Sequence, residues 1–208
     1  MKKRILILIL CLFLFISFLL YYLIPKKSYT NSDFNISDIK SDIDYDNDGI
    51  DDYTDIYESA ISYINTKPKY KSKYYANGYP DDNYGVCTDV VLFAFLNAGY
   101  DLQELVNNDI VNNKDLYNID KIDKNIDFRR VRNLKVFFDN HANILTNDIS
   151  KYSEFQKGDI VVFPKHIAII SEKRNKNGIP YIIHNNGNHK YVEDALSRYN
   201  IIGHYRWK

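Results

Sequence analysis

Gly158-Asp159-Ile160-Val161-Val162-Phe163-Pro164-Lys165-His166-Ile167-Ala168-Ile169-Ile170-Ser171 decides how this chain folds. Two β-branched or aromatic runs, 159–163 and 167–171, flank a two-residue break. That is the pattern of an antiparallel hairpin whose second strand opens at His166. Runs of the same kind at 181–185 and 201–205, separated by turn residues, extend it into a meander. Upstream the period changes. Ile56, Ala60, Ile61 and Ile64 recur at helical spacing and stop before Pro68; Val90, Val91, Ala94, Phe95 and Ala98 do so before Gly99. Leu102, Leu105, Val106 and Ile110 mark a third helix, and Val131, Leu134, Val136, Phe137 and Phe138 a fourth. Helices followed by a meander predict an α+β fold, with N-terminal helices packed on one side of a C-terminal antiparallel sheet.

Outward from that core lies a basic, apolar head. The 208 residues carry 27 basic and 27 acidic side chains. Residues 1–27 hold five of the bases (Lys2, Lys3, Arg4, Lys26, Lys27) and no acid, leaving 22 basic against 27 acidic, a net −5. The whole chain carries no net charge, which removes the usual electrostatic argument for a nucleic-acid partner. Residues 5–24 form an apolar run that, at about 1.5 Å per helical residue, covers roughly 30 Å of hydrocarbon. No small-x-small cleavage pattern follows; Tyr21, Tyr22, Leu23, Ile24 and Pro25 do, and the tyrosines suit a headgroup region. The expectation is an uncleaved membrane anchor over residues 1–24, with a signal segment as the alternative. The Met-Lys-Lys-Arg start keeps the amino terminus cytoplasmic and puts residues 28–208 outside the cell membrane. Polar, aperiodic residues 25–41 read as a linker, and 42–208 as one domain.

Cys87 is the one thiol in that outward part. It opens a predicted helix, where free N–H groups and the dipole favour a thiolate, so it is a candidate nucleophile with a lowered pKa. The alternative is a buried Cys packed as a small hydrophobe. His166 and His184, on neighbouring antiparallel strands, are close enough for one imidazole to orient the other. Asn185 competes for that last role, because a shift of one residue changes the face of the strand. Together these residues form a cysteine version of the nucleophilic triad. Zinc held by Cys87, His166, His184 and His189 is a further option, although the close paired spacing of structural zinc sites is missing.

The segments Gly85-Val86-Cys87-Thr88-Asp89-Val90-Val91, Gly158-Asp159-Ile160-Val161-Val162-Phe163, His166-Ile167-Ala168-Ile169-Ile170 and Ile183-His184-Asn185 resemble the bacterial cell-wall cysteine peptidases of NlpC/p60 type. More specifically, residues from about 42 to 208 resemble bacterial domain-of-unknown-function family 1287, grouped near that papain-like superfamily. Its segments here include Tyr79-Pro80-Asp81-Asp82, Asp127-Phe128-Arg129-Arg130-Val131-Arg132-Asn133-Leu134 and Ile202-Gly203-His204-Tyr205-Arg206-Trp207. The resemblance implies a papain-like fold with Cys87 as nucleophile, His166 as base and His184 as the polar third member. Tyr84, shortly before the nucleophile, is the implied second oxyanion donor beside the Cys87 N–H. The expected substrate is peptidoglycan peptide or another peptide amide, and no cofactor takes part in catalysis. A catalytically silent wall-binding module and a thiol acyltransferase are the alternatives.

Asp44-Tyr45-Asp46-Asn47-Asp48-Gly49, with Asp52 and Asp55 at loop positions nine and twelve, resembles an EF-hand or dockerin calcium loop. Asp44, Asp46, Asp48 and Asp55 are its expected ligands, for a structural calcium ion at loop 44–55. The bland reading is a solvated acidic turn capping the next helix. Arg129, Arg130 and Arg132 read as structural ion pairs or as a carboxylate clamp, and His141 and His204 as capping or packing residues. The tyrosines between Tyr63 and Tyr84 supply either a sugar-binding groove or surface filler.

Overall fold

The computed structural model describes residues 2–23 and 27–208. Ile24, Pro25 and Lys26, where the predicted anchor meets the linker, lie outside the described residues, as do the side chains of Tyr21 and Tyr22. Helix α1 (Lys2–Leu23) is long and apolar enough to cross a bilayer, and its described side chains are exposed. A bilayer-spanning anchor and a signal sequence both have this form.

The domain opens with α2 (Asp52–Asn65) and α3 (Cys87–Asn97), followed by α4 (Leu102–Asn112), the single turns α5 (Lys114–Tyr117) and α6 (Lys124–Asp127), and α7 (Val131–His141). Asp51 and Asp101 start α2 and α4 by accepting the N–H of Thr54 and Gln103. Two short strands, β1 (Lys69–Tyr70) and β2 (Tyr84–Gly85), pair in parallel just before α3. The main sheet holds β3 (Asn143–Ile144), β4 (Ile160–Phe163), β5 (His166–Arg174), β6 (Pro180–Ile183), β7 (Val192–Glu193) and β8 (Gly203–Arg206). Its order is β3-β8-β4-β5-β6-β7, antiparallel throughout. The expected α+β architecture is what forms.

Both faces of this sheet are covered. Ile160, Val162, Ile167, Ile169, Ile183 and Tyr205 pack with the helices. Val161, Phe163, Ala168, Ile170 and Ile182 build a second core with Phe155, Ala195 and Leu196. Strands buried on both sides read as continuous apolar runs, which explains the lack of polar alternation in 160–163 and 167–170.

Residues 29–38, within the stretch whose composition reads as a linker, are docked onto the domain. Tyr29 and Arg174 exchange backbone hydrogen bonds of 2.9 and 2.6 Å. Asn31 is buried, donating to Gln156 (2.9 Å) and accepting from the guanidinium of Arg174. That guanidinium also donates to the carbonyls of Tyr152, Gly178 and Phe155.

One buried ion pair fixes the start of α3. Arg129 donates from Nε to Asp89 Oδ1 (2.8 Å) and from Nη2 to Oδ2 (2.9 Å), while Nη1 donates to the Lys73 carbonyl (2.7 Å). Asp89 also accepts the Val86 N–H at 2.7 Å. Of the three arginines, Arg129 is thus structural, and Arg130 lies 3.7 Å from Asp127. Replacing one partner of a buried pair strands the other charge. Arg129→Met is expected to destabilise the domain by roughly 3–5 kcal/mol in urea unfolding, and Asp89→Asn/Arg129→Met to recover part of that loss.

Candidate active site

Cys87 is the first residue of α3, on the helix-covered side of the sheet, and retains 6% of its exposure. Its sulfur faces the backbone N–H of Ile167, with the N–H groups of Thr88 and Cys87 also in reach. The sequence expectation of a lowered pKa is not met in this resting geometry. Burial pushes the thiol up to about 11; the three N–H groups oppose the rise, and the charge of Asp89 adds to it. The helix terminus was legible in the sequence, but the depth at which it is buried was not.

His166 stands one residue before the N–H that meets the sulfur. It faces Phe163 across the hairpin. Alternation puts it, with Ala168 and Ile170, on the sheet face opposite α3, while Cys87 packs with the core on the helix side. Among the described residues no hydrogen bond joins them. His166 Nε2 lies instead 2.8 Å from His184 Nδ1. The register pairs Ile169 with Ile183, so the two imidazoles meet on the diagonal between β5 and the end of β6. Burial, and then the charge of His184, hold His166 down at about 4. Burial also lowers His184, against Glu193 and the Lys190 carbonyl. Both rings are therefore neutral at pH 7.

Asn185 points to the other face. It donates to the carbonyls of Pro68 (3.0 Å) and Gly85 (3.2 Å), tying the β1 and β2 segments beneath the start of α3. Tyr84 lies in β2 with its ring beside the ammonium groups of Lys71 and Lys73. His189 is exposed in a left-handed turn. The sulfur and the imidazoles do not converge as a ligand set; among the described residues Asp44, Asp46 and Asp48 do.

Those three carboxylates lie at the entry to α2. Asp44 accepts the N–H groups of Asp48 (3.1 Å) and Gly49 (2.9 Å), and Gly49 takes a positive φ of 94° that favours glycine. Asp55 does not join the cluster: it sits in the first turn of α2 and accepts the Ser59 hydroxyl at 3.2 Å. Its pKa is raised to about 6 by burial and by the charges of Asp46, Asp48 and Asp52. Asp52 turns inward, taking the Tyr45 N–H and the Tyr100 hydroxyl. A cation would be held by Asp44, Asp46 and Asp48.

Three groups escaped the sequence reading. Glu193 Oε2 lies 3.4 Å from His184 Nε2 and accepts from Asn188 (3.2 Å), while Oε1 accepts from Arg198 (2.7 Å). Tyr70 packs against Gly187 and feels the charge of a Cys87 thiolate. Tyr199 lies beside His166, ring centres 5.9 Å apart. Glu193 belongs to a two-residue strand with no period of its own; its one sequence signal is the Asn/Gly-rich turn 185–190, which marks a hairpin.

Residues 57–207 match the family described as "Domain of unknown function (DUF1287)", and the chain belongs to that family. It is 37% identical over 150 residues to the "Uncharacterized protein YijF" of Escherichia coli (strain K12), covering 67% of this chain and 72% of that relative. No solved structure matches the chain.

A thiol at about 11 carries roughly 100-fold less thiolate at pH 7 than one at the ordinary value. In the folded chain Cys87 is expected to alkylate about that much more slowly with iodoacetamide than in urea, its rate rising through pH 9–10. Peptide mapping separates it from Cys11, and fast labelling at pH 6 would contradict the assignment.

Proposed function

We propose that this member of the DUF1287 family is an outward-facing, membrane-anchored cysteine amidohydrolase of papain-like, NlpC/p60 type, acting on the peptide amides of the cell wall. One observation carries the reading: a sulfur at a helix N-terminus faces the backbone N–H of Ile167, and the preceding residue, His166, belongs to a hydrogen-bonded imidazole pair.

In this mechanism the resting pair is neutral. The Cys87 thiol passes its proton to His166 as the sulfur attacks the amide carbonyl, forming the S–C bond and moving the carbonyl electron pair onto oxygen. The Cys87 N–H donates to that oxyanion, with Tyr84 as a second candidate. Collapse breaks the C–N bond, and His166 returns the proton to the leaving amine. Water then attacks the thioester, giving one proton to His166; the S–C bond breaks, a carboxylic acid leaves, and the thiolate recovers that proton. Catalytic contacts often tighten only with substrate bound, so the sulfur–imidazole bond forms on binding.

A second reading, a silent wall-binding module, draws on the buried, protonated sulfur. Product analysis separates the two. The full chain in detergent, incubated with peptidoglycan fragments, is expected to release new amines by mass spectrometry. Cys87→Ala and His166→Ala should each lower kcat by on the order of 10⁴-fold with the fold intact. A Cys87→Ala chain that binds fragments like the wild type, where neither cleaves them, would support the silent module.

A structural calcium ion on Asp44, Asp46 and Asp48 completes the proposal, tying the residues before α2 to the domain. Calcium at about ten times its Kd is expected to raise the unfolding midpoint by roughly 3–5 °C, and Asp44→Ala to abolish that rise. No shift at millimolar calcium would rule the ion out.

A further inference from the structure

His184 is fully buried, and its Nε2 has no hydrogen-bond partner of good geometry. The Glu193 carboxylate stands 3.4 Å from that nitrogen, on β7, where Glu193 faces Ile182 across the strand pair and so shares the His184 side of the sheet. Although burial works against its charge, hydrogen bonds from Arg198 and Asn188 hold Glu193 below the usual carboxylate value. An ionised carboxylate only accepts. The proton of His184 therefore belongs on Nε2, which leaves Nδ1 bare toward His166. A bare Nδ1 in turn needs a proton on Nε2 of His166, 2.8 Å away.

We propose that Glu193 is a positioning residue: through His184 it sets the tautomer of both imidazoles, so that Nδ1 of His166 is the free nitrogen that takes the Cys87 proton. The assignment rests on the hydrolase reading for its role, but the tautomers are observable without any reaction. When His166 becomes an imidazolium, its Nε2–H is already aligned on His184, and the Glu193 charge stabilises the cation at one remove. The groups facing this chain are His184 and Tyr199 around His166; Glu193 and the Lys190 carbonyl around His184; and Arg198 and Asn188 around Glu193. Arg198 is more than half exposed, so neutralising Glu193 leaves its charge in water.

The test is long-range ¹H–¹⁵N NMR of histidine-labelled full chain in detergent, with kinetics on Glu193→Gln and Glu193→Leu. In the wild type at pH 7 both His166 and His184 are expected as Nε2–H tautomers. Glu193→Gln should lower the pKa of the imidazole pair. It should also reduce kcat by roughly 10- to 100-fold with KM little changed, the scale seen when a carboxylate orienting a functional imidazole is lost. Glu193→Leu should reduce it further. His184 carrying its proton on Nδ1 in the wild type overturns the proposal without recourse to any variant. So does a Glu193→Gln chain with unchanged kcat and unchanged imidazole titration. Wild-type protein with both Nε2–H tautomers but no amide hydrolysis would uphold the tautomer assignment and overturn the hydrolase reading, so the two failures are distinct.

Discussion

Asp89 and Arg129 are opposite charges with almost no exposure, and each completes the other's hydrogen bonding. Asp89 can lie in the first turn of α3 because Arg129 covers it, and there it also holds the N–H of Val86. The same guanidinium reaches the Lys73 carbonyl, so the β1–β2 connection, α3 and the segment before α7 share one anchor point. Cys87 lies two residues before Asp89 at the start of the same helix, with the Ile167 N–H facing its sulfur. Asn185 performs a related task from the sheet by holding Pro68 and Gly85. The site follows from these constraints more than from intrinsic reactivity of the thiol.

Much of this was legible in the sequence. The four long helices announced themselves by period, and the four longer strands by apolar runs between turns. The hairpin at Pro164-Lys165 placed His166 at a strand start, and the structure pairs it with Phe163 as that break requires. What stayed hidden has physical reasons. β1, β2, β3 and β7 are two residues long, too short for any period. Residues 29–38 are polar like a linker, yet a buried guanidinium at Arg174 gives Asn31 a place to dock. The choice between His184 and Asn185 turns on one step of the pleat, which only the register decides; His184 reaches His166, and Asn185 serves the backbone beneath Cys87.

The direction of the thiol shift is the instructive difference. A helix N-terminus is visible in Gly85-Val86-Cys87-Thr88-Asp89, and it favours a thiolate. The enclosing core is spread over α2, α3 and the sheet, and it favours the thiol more strongly. Under the proposed hydrolase reading, a protonated Cys87 and a neutral His166 would give His166 a proton-accepting role at the moment of attack, rather than that of partner in a standing ion pair. In that proposed mechanism the free energy of charge separation would fall on the bound substrate and on the carboxylate behind His184. A resting thiol of this kind also resists oxidation.

The central claim is that Cys87 forms a covalent acyl bond with assistance from His166. Its most direct measurement is the intact mass of the full chain, quenched in acid within milliseconds of mixing with an activated peptide ester. The account predicts an added acyl mass that maps to Cys87, accumulates at pH 7 and is lost in His166→Ala. An unmodified Cys87 while ester is still consumed, or consumption that persists in Cys87→Ala, would contradict it.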